Sequence, residues 1–346
     1  MKPVLVLKVG TAAITNSYGD IDEIVIQEIC QQLAVLHQKY RIILVSSGAV
    51  GSGKKYLSHF SGSITEKKAA AAIGNPLLLQ KYNAFLQEYS LCVAQILCER
   101  GHFSNRVQFL QLRETFEELW KNNILPVVNE NDAISDLALK FSDNDEVATL
   151  LAVGFSAEKI LFGSSLPGLL QKGTVVDRID RFTDDIFALA DSKLSEGGLG
   201  GMLSKLSCAR MATNFGTTAV LFDVRKSGNI LRAEQLQTGT VCPAKACNIS
   251  AHQKWLASGS LPTGKVVVDS GAAQALQKRK SLLLVGVEHF IEPFEKGDIF
   301  EIYEKGREQP NEVVAVGKAR ISSSEARHKK SPKGVEIAHA DEIVIF

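Results

Sequence analysis

Residues 44–57 read LVSSGAVGSGKKYL. The stretch opens as a buried strand, turns sharply through small residues and ends on two lysines. As a motif, Gly48-x4-Gly53-Lys54 follows the phosphate-binding P-loop until its last position, where Lys55 replaces the Ser or Thr that holds Mg²⁺. Two readings are open: a nucleotide cradle with one part changed, or a glycine turn that leaves a strand of a larger sheet.

On both sides of this stretch, short apolar runs alternate with helical patterns. The runs are VLVLKV (4–9), RIILV (41–45), LCVAQIL (91–97), ILPVV (124–128), KILF (159–162) and TAVLF (218–222). Bounded by turn residues, they suit strands buried on both faces of a parallel sheet. Between them, 104–122 repeats Phe109, Leu112, Phe116 and Leu119 at helical spacing, 143–154 repeats Val147, Leu150 and Leu151, and 205–215 repeats Cys208, Met211, Ala212 and Phe215. Alternation over about 240 residues predicts an α/β fold: an open, mainly parallel sheet with helices on both faces. Residues 242–264 lack strand signals and hold two prolines, which places a domain boundary there. Beyond it, KVVVDSG, EKGDIFEIYE, EVVAVGKARI and GVEIAHADEIVIF read as short strands with glycine turns, a small β-rich domain of about 80 residues. The expected division is 1–250 and 263–346.

The chain has 346 residues, 45% hydrophobic and 22% charged, with a formal net charge of +1. That profile fits a globular protein with a sizeable core and no global field toward nucleic acid or membrane. No apolar run reaches the ~20 residues of a membrane helix, and the apolar run in MKPVLVLKVGT is too short for a signal sequence. The expected location is cytoplasmic. None of the six cysteines forms a Cys-x2-Cys pair, so zinc and redox readings are weak; Cys242 and Cys247 are expected near the linker and more exposed.

In open α/β sheets ligands sit beyond the carboxyl ends of the strands. Lys8 ends the first strand, and a lysine in an apolar strand is costly to bury unless paired or bound to an anion. Ser46-Ser47-Gly48-Ala49 follows the second, and NENDAISD (129–136) follows the fourth. SDNDE (142–146) brings Asp143, Asn144 and Asp145 to the start of a helix, where the bland reading is ordinary capping. GGLGGMLSK (197–205) runs glycines into a helix starting near Met202 and adds the charge of Lys205, an arrangement suited to a phosphate. Together these parts describe a phosphoryl-transfer site. No histidine falls at a strand end to act as base. A carboxylate acceptor, with a reference pKa of ~4.3, needs none.

KVGT (8–11), VSSGAVGSG (45–53), FLQLRETFEELWKNNILPVVNENDA (109–133), SDNDE (142–146) and GGMLSK (200–205) resemble the glutamate 5-kinases of the amino-acid kinase family. GKVVVDSGAAQALQKRKSLL resembles the PUA domain that many of them append. The resemblance implies ATP-dependent phosphorylation of the L-glutamate side-chain carboxylate to L-glutamyl 5-phosphate, the first step of proline synthesis, with Mg²⁺ carried mainly by the phosphates. It implies that residues 48–53 are not a P-loop. Lys8, Asp145 and Lys205 match catalytic positions; Ser47, Gly48, Ala49, Asp132 and Asn144 match glutamate-binding ones, with Asn129 nearby. Lys8, Ser164, Ser165, Leu199, Gly200, Gly201, Met202, Leu203, Ser204 and Lys205 match the nucleotide side. Family habit further implies a homo-oligomer (dimer or tetramer) and feedback by proline.

Three features depart from the family pattern. Where it carries Thr-Asp-x-Lys-Gly-Leu, this chain reads Ser164-Ser165-Leu166-Pro167-Gly168-Leu169, which lacks a carboxylate and a lysine. Ala12 replaces a common Ser, and Leu199 and Leu203 replace small polar residues. These bear on nucleotide affinity more than on glutamate. The alternatives are another carboxylate or carbamate kinase of this fold, or a non-catalytic glutamate- or proline-binding protein whose PUA domain touches RNA. Residues 263–346 hold 13 Lys and Arg against 13 Asp and Glu, a balance that argues against strong RNA affinity.

Overall fold

The structure, a computed structural model, describes residues 2–16, 20–133, 143–191, 201–246, 262–306, 313–329 and 331–346. The chain forms two compact units, Met1–Lys245 and Ala246–Phe346. In the first, the strands are β1 (Val4–Val9), β2 (Arg41–Ser46), β3 (Cys92–Cys98), β4 (Ile124–Glu130), β5 (Lys159–Ser164), the hairpin β6 (Leu170–Gln171) and β7 (Thr174–Val175), β8 (Thr218–Asp223) and β9 (Thr240–Cys242). The helices are α1 (Thr11–Ile14), α2 (Glu23–His37), α3 (Ala49–Gly53), α4 (Ile64–Gln87), α5 (Arg100–Ser104), α6 (Arg106–Lys121), α7 (Asn144–Gly154), α8 (Asp184–Asp191), α9 (Gly201–Asn214) and α10 (Asn229–Glu234).

Seven strands form one sheet in the order β3-β4-β2-β1-β5-β8-β9. All its pairs are parallel except β8 with β9. Strand alternation sorts the side chains. Leu5, Leu7 and Val9 join Ile42, Leu44, Leu161, Val220 and Phe222 in one core with Val25, Ile29 and Leu33 of α2 and Leu78 and Leu86 of α4. Fully burying each such side chain contributes about 1.5–3 kcal/mol. Lys8 therefore faces the other way, toward α7 and α9, which pack on β1 and β8.

Two expectations are corrected. The run at 91–97 is an edge strand with Cys92 and Gln95 exposed, because among the described residues no strand pairs with β3 on its outer side. Cys242 is fully buried, because β9 carries the sheet up to the linker instead of ending before it. Cys247 lies outside the described residues.

The glycines of the opening stretch serve the turn and the packing. Gly48 adopts φ +105°, which turns the chain from β2 into α3. Gly53 and Gly74 bring α3 and α4 together backbone to backbone: a Cβ on Gly53 would overlap the Ala70 carbonyl, and one on Gly74 the Ala49 carbonyl. Lys54 is exposed, and Lys55 pairs with Asp20 at 2.7 Å. No phosphate cradle forms there.

In the second unit, β10 (Gly264–Val268), β12 (Val287–Glu292), β13 (Ile299–Glu304), β14 (Val313–Lys318) and β16 (Ile343–Ile345) form a sheet in the order β12-β10-β13-β14-β16. β11 (Leu282–Leu283) pairs with β15 (Glu336–Ala338). The core gathers Val266, Phe294, Phe300, Ile302 and Ile337, with the Phe294 and Phe300 rings stacked at 4.5 Å. This separate β-rich unit holds its own apolar centre.

Candidate active site

Lys8 is only 5% exposed on the central strand of the sheet. Its Nζ lies 2.7 Å from Asp145 Oδ1. That oxygen has no partner at hydrogen-bonding angles, so charge holds the pair. Lys205 Nζ donates to Asp145 Oδ2 at 3.0 Å and to the Gly201 carbonyl at 3.3 Å. Burial alone would raise the Asp145 carboxyl, but the charges of Lys8 and Lys205 outweigh it and hold the group below its ordinary range. One buried and one partly buried cation thus share one carboxylate.

The start of α7 is what places Asp145 there. Asp143 caps the helix, its Oδ1 accepting from the Asp145 and Glu146 amides at 2.9 and 3.1 Å. Its Oδ2 accepts from Ser204 Oγ at 2.6 Å, which ties the first turn of α9 to the first turn of α7. Glu146, almost fully buried, accepts on both carboxylate oxygens from Arg100 Nη2, at 2.9 and 3.0 Å. Side chains are therefore engaged on four successive residues at this helix start, Asp143 to Glu146. Beyond it α7 is apolar and buried on every side, which fixes its axis.

An amide chain stands beside the cations. Asn144 Nδ2 donates to Ser47 Oγ at 3.1 Å and to Asn129 Oδ1 at 2.8 Å. Asn129 Nδ2 donates in turn to Asn75 Oδ1 at 2.8 Å, and Asn129 Oδ1 also accepts from the Glu130 amide. Asn129 is 4% exposed, which makes it a relay rather than a contact surface. Asn144 donates both its amide hydrogens, and its Oδ1 accepts from the Glu130 amide at 3.3 Å, which leaves that oxygen one further lone pair. Ser47 Oγ accepts here, so its O–H remains to donate outward.

The structure brings Lys8, Asp145, Lys205, Ser204, Gly201, Asn144, Ser47 and Asn129 into one connected cluster at the carboxyl ends of β1, β2 and β4. Gly48 and Ala49 begin α3 next to Ser47, and Met202 and Leu203 complete the first turn of α9. Asp132 is half-buried in the turn after β4. Ser164, the last residue of β5, and Ser165 after it stand at the same carboxyl edge one strand from Lys8, outside the bonded cluster: Ser164 Oγ closes on Leu166, and Ser165 is exposed. Leu199 and Gly200 lie outside the described residues. Sequence reasoning missed Asn75, which sits 54 positions before Asn129 inside α4. Its only local signal is an amide amid the apolar helix, between Gly74 and Pro76.

Comparison with known proteins matches residues 3–223 to the amino acid kinase family and residues 264–340 to the PUA domain. Glutamate 5-kinase of Kosmotoga olearia is 33% identical over 94% of this chain and 90% of its own length. Those of Caldanaerobacter subterraneus subsp. tengcongensis and Trichlorobacter lovleyi are each 33% identical, over 96% and 99% of this chain and 92% and 96% of their own. With the sheet, the lysine pair on Asp145 and these matches in hand, the chain belongs to the amino-acid kinase family, in its glutamate 5-kinase branch, and carries a C-terminal PUA domain.

Proposed function

We propose that this kinase transfers the γ-phosphoryl group of ATP to the side-chain carboxylate of L-glutamate, giving L-glutamyl 5-phosphate and ADP, and so opens proline synthesis. The observation that carries this reading is the Lys8–Asp145–Lys205 triad. An acceptor carboxylate is ionised at neutral pH and needs no base. Its difficulty is repulsion from the triphosphate. Lys8 and Lys205 neutralise that charge, and Asp145 keeps both ammonium groups aimed at one point. The cationic surroundings fit Mg²⁺ carried on the phosphate oxygens, where it would screen further charge.

Hydrogen-bond polarity supports an amino acid on the other side. The O–H of Ser47 suits a carboxylate, and the second lone pair of Asn144 Oδ1, beside the one that the Glu130 amide occupies, suits an ammonium. Gly48, Ala49 and Asp132 border the same place, and Asn129 holds Asn144 in register. The first turn of α9, Gly201 to Lys205, takes the phosphates. The test is a coupled ADP-release assay with glutamate, aspartate and carbamate as acceptors, with and without Mg²⁺. Mg²⁺-dependent release with glutamate is expected. Release with carbamate or aspartate in preference to glutamate would overturn the acceptor.

A further inference from the structure

The loop after β5 carries no carboxylate, yet the strand beside it ends on one. Ser164 is in register with Asp223, the last residue of β8. Lys8 is in register with Phe162, and Phe162 with Leu221. Asp223 lies two residues beyond Leu221, so strand alternation puts its side chain on the face of Lys8. The flanking Phe222 and Val224 confirm the parity, because both join the opposite core. The position is two strands across from Lys8 and two residues further along, ~10 Å sideways and ~7 Å onward. α9 enters β8 through a tight turn at Gly216 and packs on it, so its first turn, with Lys205, lies toward the same carboxyl end.

Asp223 Oδ1 accepts from the Arg225 amide at 3.0 Å, and its main-chain carbonyl accepts from Asn229 Nδ2 at 2.7 Å. These contacts fix the turn and leave Oδ2 without a partner among the described residues. A carboxylate only accepts. On ATP the phosphates also only accept, so Asp223 must meet donors further from the lysines. The vicinal hydroxyls of the ribose are a donor pair of the right kind.

We infer that Asp223 recognises the ribose hydroxyls of the nucleotide, taking on the neighbouring strand the acceptor role that the loop 164–169 has lost. This inference rests on the ATP site proposed above. Its test compares ATP with 2′-deoxy- and 3′-deoxy-ATP, in wild type, Asp223→Ala and Asp223→Asn, at saturating glutamate and by calorimetric binding without it. Losing a hydrogen bond to a charged acceptor should raise the KM for ATP about 10- to 100-fold in Asp223→Ala, with kcat within about twofold. Asp223→Asn keeps the acceptor for the Arg225 amide, and with it the turn; it should lose about 3- to 10-fold. One deoxy analogue should bind wild type as weakly as ATP binds Asp223→Ala, and the variant should not discriminate that analogue from ATP. Additive losses from the substitution and from both deoxy analogues would overturn the inference, showing a turn residue alone. Binding of ATP without turnover of glutamate would overturn the acceptor assignment and leave the ribose comparison readable from calorimetry.

Discussion

Two charged clusters occupy opposite ends of the same sheet. At the amino end, Glu234 accepts from Tyr40 at 2.5 Å, Lys39 at 2.8 Å and Lys159 at 2.9 Å, and Lys159 also lies 3.2 Å from Glu158. Two lysines there face two carboxylates, and the Lys39 side chain is 61% exposed. At the carboxyl end Lys8 and Lys205 share Asp145 among the described residues, and Asp143 is engaged by helix amides and Ser204. The first cluster is balanced and partly solvated, which suits a clamp between β2, β5 and α10. The second holds two ammonium groups on one shared carboxylate with little access to water, an arrangement suited to an arriving anion. Solvent exposure and position along the strands separate the two.

The same substitution at the two ends should therefore give opposite results. Lys8→Ala and Lys205→Ala should each lower kcat about 10²- to 10³-fold with folding intact, by removing one preorganised charge from the transition state. Lys159→Ala should leave kcat within about twofold and instead lower stability by about 1–3 kcal/mol. Steady-state kinetics paired with denaturant melts read both. A Lys159 variant that melts normally and turns over slowly would break the contrast.

A smaller effect is expected beside the triad. Asn144→Ala and Asp132→Ala should mainly raise the KM for glutamate, by about 10-fold, because contacts unchanged during transfer supply uniform binding. Glutamate titrations showing the loss in kcat alone would move these residues to the phosphate side.

Much of this site was legible because its residues break local rules. Lys8 interrupts an apolar strand, and Asp143, Asn144 and Asp145 crowd one helix start. The sheet was legible because each buried strand is a short uniform run. What escaped notice depends on distant packing. α4 carries Pro76 within it, and its capping box, Ser63 with Glu66, starts a helix that sequence punctuation would stop near Gly74. Contact of Gly74 with α3 makes that glycine useful. Asn75 and Asp223 depend on partners far away in sequence or on strand register, which no local pattern encodes. β9 was missed because three residues beside a linker show too short a period.

Acid should sharpen the contrast at the amino end. Burial would raise the Glu234 carboxyl, but hydrogen bonds from Lys39, Tyr40 and Lys159 overcome it and lower the group from 4.5 to about 2. A lowered folded value means stability present above the unfolded value and lost as pH falls through the folded one. Wild type should lose that contribution between about pH 4.5 and 2. Glu234→Gln cannot titrate there, so it should be less stable at pH 7, and the two melting curves should converge in acid. Asp145 shifts the same way and remains in both proteins, so it cancels from the difference. Parallel curves down to pH 2.5 would remove Glu234 as the acid-sensitive clamp.

The smallest effect concerns the loop after β5, where the carboxylate question can be put directly. Ser165→Asp restores the side chain that the family pattern carries. If that carboxylate were simply missing, the substitution should tighten ATP several-fold, since a charged acceptor exceeds a neutral one by about 1 kcal/mol. Asp223 on the adjoining strand alters the expectation. With an acceptor already in place, a second carboxylate near it adds like-charge repulsion, so the KM for ATP should change by less than about twofold in wild type. In the Asp223→Ala background the repulsion is gone and the acceptor is wanted, so Ser165→Asp should recover several-fold in KM. The coupling between positions 165 and 223 is the quantity to measure, by a double-mutant cycle on ATP. Equal gains in both backgrounds would show that the two strand ends act independently, and that the lost loop carboxylate had no replacement.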